Sequence, residues 1–490
     1  MNQRQLAPWL LLIATTFIYL AYPTRVYYWD GIAFAQAIED AQSLNASLVH
    51  PNHLIYNFAG YLFYKLLHAV GFEVRAVTAL QILNSLLSAA CAGVLFAILS
   101  DTLRSLYLSV CLTLLFAFSA TWWKFSTDAN AYIPSVLFLV ISFYLVLPGR
   151  KPRPLLVAVT FFISMAFHQL AVLMFPVLAL GVYLQKRRAL HAVYFSVVTA
   201  ALILAAYVYF FHLATGSFDV AKFVTWTASY SPDADTKFSF WPNLQYSLRG
   251  QVRLFFGGRF NLLKGLVNPL VIVLLACLTG AVLWLIFQTL RMRLRRMAEL
   301  RFEPAQKMVL LLSLLWTAVY IVFLFFWLPQ NTFYRLFYLP GLILLLGLAL
   351  SSFKDQLSHS SRLAAFVIAV ALANFLFLIY PFSHVEKYPP LAFALQMNHE
   401  WPAGTVIYYG AVNSDEGLVR YFNPSTRWKL LNPKSLELKN GTAWLETTAI
   451  SQLTSTAEGT RWLETHARKE TLKELRDGAF EIRFIQVNGF

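Results

Sequence analysis

Charge is what this sequence has least of. Asp, Glu, Lys and Arg make up 13% of its 490 residues, against roughly 25% in a typical soluble protein, which is too little polar surface for a water-soluble body of this length. Acids are scarcer than bases, 24 against 39, for a formal net charge of +15. That balance does not point to nucleic acid. The basic residues cluster in short loops between apolar runs, as topology signals and headgroup contacts do, and no nucleic-acid-reading motif accompanies them. Cysteine is also scarce. Cys91, Cys111 and Cys277 all fall inside apolar runs without metal-ligand spacing, which argues against disulfides and zinc and leaves them as small buried hydrophobes. Internal repeats and low-complexity tracts are absent. The N-terminal run 8–22 lacks a small-residue cleavage site and reads as an anchor.

What the chain has instead is apolar length. Hydrophobic residues are 58% of it and the mean hydropathy is +0.57. Runs of about 17–25 apolar residues can each cross a hydrocarbon core ~30 Å thick. The expectation is an α-helical polytopic membrane protein with about 11 transmembrane helices, at 8–22, 76–99, 105–121, 132–148, 155–168, 170–184, 189–212, 266–290, 308–328, 336–353 and 363–380. Arg4, Arg104, the basic turn at 150–153, Lys186 to Arg188 and the basic 291–307 segment fall on one side by parity, opposite the sparse Arg25, Lys124 and Arg335. Positive charge stays cytoplasmic, so the N-terminus is expected there and the C-terminus outside.

Between the spans, the first outer loop is 23–75, and its apolar stretch 54–70 is expected as an interfacial helix. A second outer loop, 213–265, mixes Trp226, Trp241, Phe255 and Phe256 with turn formers, which predicts one or two short helices at headgroup level. The spans at 155–168 and 170–184 should pair tightly, with His168 at their outer hairpin. Beyond the transmembrane domain, 1–380, strand and helix signals alternate through 381–490 and predict a small C-terminal α/β extracytoplasmic domain.

The spans hold almost no charge. Gln81, Asn84, His191, His212 and Asn374 are their main polar residues and read as contacts between helices. A secondary transporter would show mid-bilayer ionisable residues and interrupted spans. The acids and imidazoles collect instead on the outer face, at Asp30, Glu39, Asp40, His50, His53, Asp128 and His168, as an interfacial active site would require. Glu39 and Asp40 read as a solvated helix face.

Four short segments carry a pattern: Asp30-Gly31; His50-Pro51-Asn52-His53-Leu54-Ile55-Tyr56; Trp122-Trp123-Lys124-Phe125-Ser126-Thr127-Asp128-Ala129-Asn130-Ala131-Tyr132; and Phe167-His168-Gln169. In order and sidedness they resemble the GT-C superfamily of polytopic glycosyltransferases, most closely the protein O-mannosyltransferase-like branch. The sequence departs from that pattern after Gly31, where Ile32 and Ala33 replace an acid, and at Asn130, where a Glu is expected.

The resemblance implies an inverting glycosyltransferase that moves a sugar from a polyprenyl-phosphate donor to an extracytoplasmic acceptor, which could be protein, lipid or polysaccharide. Asp30 would be the general base; alternatively it caps the helix that follows. Asp128 is a second catalytic acid, with capping of the span near Ala131 as the alternative. The resemblance makes no cofactor certain, and a divalent metal held by Asp30 and Asp128 stays open. His50, His53, Tyr56, Asn130, Tyr132 and His168 are implied substrate-binding residues. If 50–53 is a turn, its two rings need not face the same way. The leaving phosphate calls for a cation: Arg335 first, since a guanidinium can hold two oxygens, then Arg253, Arg259 and Lys124, with headgroup contact as the alternative for each. The implied partners are the bilayer, the lipid-linked sugar and the acceptor. A transporter or lipid flippase, or a non-catalytic scaffold of envelope glycan assembly, are the readings from other classes.

Overall fold

The computed structural model describes residues 3–228, 238–258, scattered positions within 259–301, then 302–351, 361–397, 401–410, 414–432, 442–477 and 480–488. Two compact units divide the chain. Residues 1–24 and 37–381 form the first; 25–36 and 382–490 form the second. The grouping crosses the boundary drawn at 380 from sequence, because the segment carrying Asp30 belongs with the C-terminal unit.

The first unit is helical. Five of its described helices or helix runs are long and apolar enough to cross a membrane: Ala76–Leu103, Gln169–Lys186, Ala189–Thr215, Pro304–Phe326 and Ser361–Phe382, the last reaching one residue past the unit boundary. Leu106–Ala117 and Ala120–Ser126 make a sixth if read as one span bent by 65°. Leu6–Ala21, Tyr132–Leu145, Pro154–Phe167 and Leu339–Ser351 are apolar but shorter. The eleven spans counted from sequence are not established among the described residues, and most of the 266–290 run lies outside them. The 54–70 stretch is a helix, Tyr56–Ala69, at 14 residues too short to cross a bilayer. In the second outer loop two helices are described, Val220–Ala228 and the amphipathic Phe240–Phe255. Arg259 lies outside the described residues.

Helix Ala76–Leu103 is the axis of this unit, packing against the helices Gln3–Ala21, Leu106–Ala117 and Tyr132–Leu145. Its entry is held by Glu39, which accepts the backbone N–H of Ala76 at 2.8 Å and two-pronged hydrogen bonds from Arg75 at 2.8–3.1 Å. Glu39 is thus a helix cap and ion-pair partner instead of part of a solvated face, a role that needs a carboxylate at a helix N-terminus.

The second unit is a three-layer α/β body. Strands β1 (Val406–Tyr409), β2 (Arg427–Leu430), β3 (Thr442–Glu446), β4 (Ala467–Asp477) and β5 (Phe480–Asn488) form one mixed sheet in the order β2-β1-β3-β5-β4. β1 pairs in parallel with β2 and β3, while β5 runs antiparallel to β3 and β4. Alternation along the strands splits the core. Ile407, Trp444 and Phe484 face Ala394, Met397 and Val419 of the helices Pro389–Met397 and Ser414–Phe422. Ala443, Leu445 and Val487 face Ala449 and Leu453 of the helix Thr447–Thr454.

Candidate active site

The two candidate acids, Asp30 and Asp128, belong to different units. Asp128 lies in the turn 126–131, between the bent helix that ends at Ser126 and the helix Tyr132–Leu145. A turn at this depth exposes backbone carbonyls that water cannot reach, so they need protein donors. Helix Ala76–Leu103 supplies them. Gln81 Nε2 donates to Thr24 O at 2.8 Å and Thr127 O at 2.9 Å. Asn84 Nδ2 donates to Asp128 O at 2.7 Å and Asn130 O at 2.8 Å, and Ser85 Oγ to Ser126 O at 3.1 Å. These residues stand at i, i+3 and i+4, one face of the helix. Sequence reasoning placed Gln81 and Asn84 in helix contacts and so missed that they hold the Asp128 turn.

The Asp128 carboxylate is fully buried. One oxygen is ion-paired with Lys124, one helical turn earlier, and the other accepts the N–H of Ala129 at 2.9 Å. The following helix is capped by Asn130, whose Oδ1 accepts from the N–H groups of Tyr132 and Ile133, both at 3.2 Å. Capping, the alternative for Asp128, therefore falls to its neighbour. Tyr56 completes this corner, its hydroxyl 3.4 Å from Asn84 Nδ2.

On the other side of Tyr132 stands a cluster of imidazoles. The 50–53 segment is a turn, closed by His53 N–H on His50 O at 3.0 Å, and its two rings stack at 4.9 Å and 20°. Within this turn the two rings face each other. His168 sits in extended backbone at the break after Phe167, 4.7 Å from His53 and 4.9 Å from Tyr132 between ring centroids. Phe333 and Tyr334 close the cluster over Tyr132, and Phe337 over His168; none of the three was singled out from sequence.

Burial holds all three imidazoles neutral: His50 is pushed down to about 4, His168 to about 3, and His53 well below its ordinary value by burial and by its two imidazole neighbours. Their tautomers follow from the backbone. His53 Nδ1 meets the carbonyl of Phe167 at 3.3 Å and must donate. Nδ1 of His50 accepts the N–H of Asn52 at 3.3 Å, and that of His168 accepts the N–H of Leu170 at 3.1 Å, which puts their protons on Nε2.

Arg335 shares the short helix Phe333–Phe337 with that aromatic cap, yet its guanidinium is 99% buried elsewhere. Nη1 donates to Tyr338 Oη at 2.9 Å and Nη2 to Pro329 O at 2.7 Å, while Nε has no partner among the described residues. Gly250 lies flat against the guanidinium, where any Cβ would collide with it. Arg253 presents its carbonyl to Thr121 Oγ1 at 3.0 Å.

In the second unit, Asp30 opens the helix Trp29–Asp40. The segment 25–36 is tied down by Arg25 N–H on Phe382 O at 2.6 Å, by Tyr27 stacked on Phe422 at 6.0 Å, and by Arg420 Nη2 on Gln36 Oε1 at 3.3 Å. Asp30 is half-buried. Desolvation lifts its carboxyl to about 6, against a smaller lowering by a hydrogen bond from Tyr28. Among the described residues no group of three or more His, Cys, Asp or Glu could hold a metal ion.

The whole chain has the fold of ArnT. It matches the crystal structure of ArnT from Cupriavidus metallidurans bound to undecaprenyl phosphate with a TM-score of 0.64 at 10% identity, over 98% of this chain and 97% of that one. The apo state of the same protein matches with a TM-score of 0.59 at 11% identity, over 96% of each chain. At this identity the likeness is one of fold, and the O-mannosyltransferase branch rests on the short motifs alone. No family model and no curated protein matches the chain.

Proposed function

We propose that the protein is an inverting GT-C glycosyltransferase that takes a sugar from a polyprenyl-phosphate donor. The observation that carries this reading is the fold, shared from end to end with a protein solved bound to undecaprenyl phosphate. The residues supply a consistent chemistry. The acceptor's O–H or N–H gives its proton to the Asp30 carboxylate as its oxygen or nitrogen bonds to the anomeric carbon. The bond from that carbon to the phosphate oxygen breaks on the opposite face, and polyprenyl phosphate leaves with the electron pair.

A base whose carboxyl titrates near 6 is mostly ionised at neutral pH yet binds a proton more strongly than an ordinary Asp, which suits proton removal in the transition state. The neutral ring cluster of His50, His53, Tyr132 and His168 can meet uncharged oxygens of substrate without repelling or neutralising a phosphate. Asp128, held by Lys124 and roofed by Asn84, positions the turn beneath that cluster, with Tyr56 and Asn130 bracing it. Lys124 and Arg335 are the cations proposed for the departing phosphate, Arg335 only once helix Phe240–Phe255 moves off it. No step is routed through a metal. Sidedness follows the distribution of Lys and Arg, with the chemistry and the C-terminal unit outside the cytoplasm.

The test is transfer by the purified chain from a radiolabelled undecaprenyl-phosphate sugar, paired with mass analysis of lipid-linked sugars in a deletion strain. A transferase predicts a lost glycan and accumulated donor lipid. A flippase or scaffold predicts no glycosidic bond formed by the pure protein.

A further inference from the structure

A cavity of about 540 Å³ opens beside the imidazole cluster, away from the Asp128 turn. Its walls are mainly apolar, with Met165, Leu170, Leu173, Ile203 and Phe323 among them, and one end carries Trp327 stacked on Tyr334 at 5.2 Å. Volume and lining are those of a small-molecule or lipid-chain site. Val172, at its rim, is 52% exposed. The two helices that contribute Ile203 and Phe323 also turn Leu204, Val322 and Phe326 outward, so the mouth is continuous with apolar surface of the kind that faces lipid.

Two features define what the cavity accepts. None of its lining residues is Lys, Arg, Asp or Glu, so a phosphate would lose water there with no counter-charge to replace it. Among the polar lining residues Asn52, His168, Gln169 and Tyr207, the imidazole supplies a neutral donor. His168 is 4% exposed; its Nδ1 is taken by Leu170 N–H, so Nε2 carries the proton and has no partner among the described residues. Tyr207, by contrast, spends its hydroxyl on Pro51 O at 3.1 Å.

We infer that this cavity binds an apolar lipid chain by an uncharged hydrogen-bond-accepting head, an ester, ether or hydroxyl, received by His168 Nε2–H. The cavity shares His168 with the ring cluster but takes an uncharged head in place of a lipid phosphate, and its binding test does not depend on sugar transfer.

Binding is read by quenching of Trp327 fluorescence in the full-length protein in nonionic detergent, taken as the difference from Trp327→Phe. The probes are a brominated long-chain acyl methyl ester and the phosphate monoester of the same chain. The ester should quench saturably and bind at least about tenfold tighter than the phosphate, the loss expected when a charge is desolvated without a partner. Ile203→Trp, which fills the cavity, should abolish ester quenching; should that variant not fold, Val172→Trp at the rim decides in its place. His168→Phe should weaken the ester by about three- to tenfold, the worth of one hydrogen bond. His168→Gln, whose amide can present an N–H, should restore most of that, as a packing role for the ring would not. Tighter binding of the phosphate, or ester quenching unchanged in both filled variants, overturns the proposal.

Discussion

The two acids that the sequence paired as candidates have opposite surroundings. Asp128 is sealed, its charge met by Lys124 and its turn fastened by three side chains of one helix. Asp30 is half open, takes a hydrogen bond from Tyr28 and has no ion pair among the described residues. A carboxylate already neutralised by an ammonium has little appetite for a further proton; one that is partly desolvated and unpaired has more. On the proposed reading the same side chain is a brace in one place and a base in the other, with environment deciding which.

The largest expected effect falls on the base. Asp30→Asn should cut transfer by about 10²–10⁴-fold, measured with the radiolabelled donor. Because the folded state binds the Asp30 proton more tightly than the unfolded chain does, the ionised carboxylate costs stability at pH above about 6. The variant should therefore melt no lower than the parent at neutral pH. Normal turnover in it would end the distinction between the two acids.

Asp128→Asn should show the reverse pattern. Removing one member of a buried pair leaves Lys124 uncompensated, at a cost of the order of 3 kcal/mol. Thermal unfolding should record the loss, and transfer per folded molecule should fall far less than in Asp30→Asn. A rate loss as deep, with melting unchanged, would make Asp128 the second chemical acid instead. Asn84→Leu tests the same turn with a smaller effect, about 1–3 kcal/mol for the Asn84 donor lost to the carbonyls of Asn130 and Asp128, the latter keeping Asn130 Nδ2 at 3.1 Å.

The pH dependence sharpens the comparison most gently. The rate should fall as pH drops through about 6, when Asp30 takes up its proton, and Asp30→Asn should lack that limb. The imidazoles add no rate limb between pH 5 and 8. They act on stability: held neutral in the fold but titrating near 6.5 when unfolded, they favour the unfolded chain as pH falls from about 6.5 towards 4. Unfolding midpoints across that window check this, and the slope should shrink in His50→Gln.

Much of the first unit could be read from patterning. Apolar run length marked the helices at 76–103, 189–215 and 304–326, and the motif order brought His50, His53, Asp128 and His168 into consideration together. The polar stripe Gln81, Asn84 and Ser85 was also visible, at helical spacing on an otherwise apolar helix, but spacing says only that a face is polar, never what it meets. The burial of Arg335 under Gly250 was unreadable for a similar reason, since the two are 85 residues apart.

What the sequence determined by itself was local and additive: hydrophobic length, charge scarcity, the helix or strand period, and which residue types were available for chemistry. Tertiary structure alone decided which acid is paired, which imidazole nitrogen keeps its proton and which unit carries Asp30. Those depend on distances of a few ångströms between residues remote in the chain, and an ionisable group in a low-dielectric interior takes its properties from such neighbours more than from its own identity.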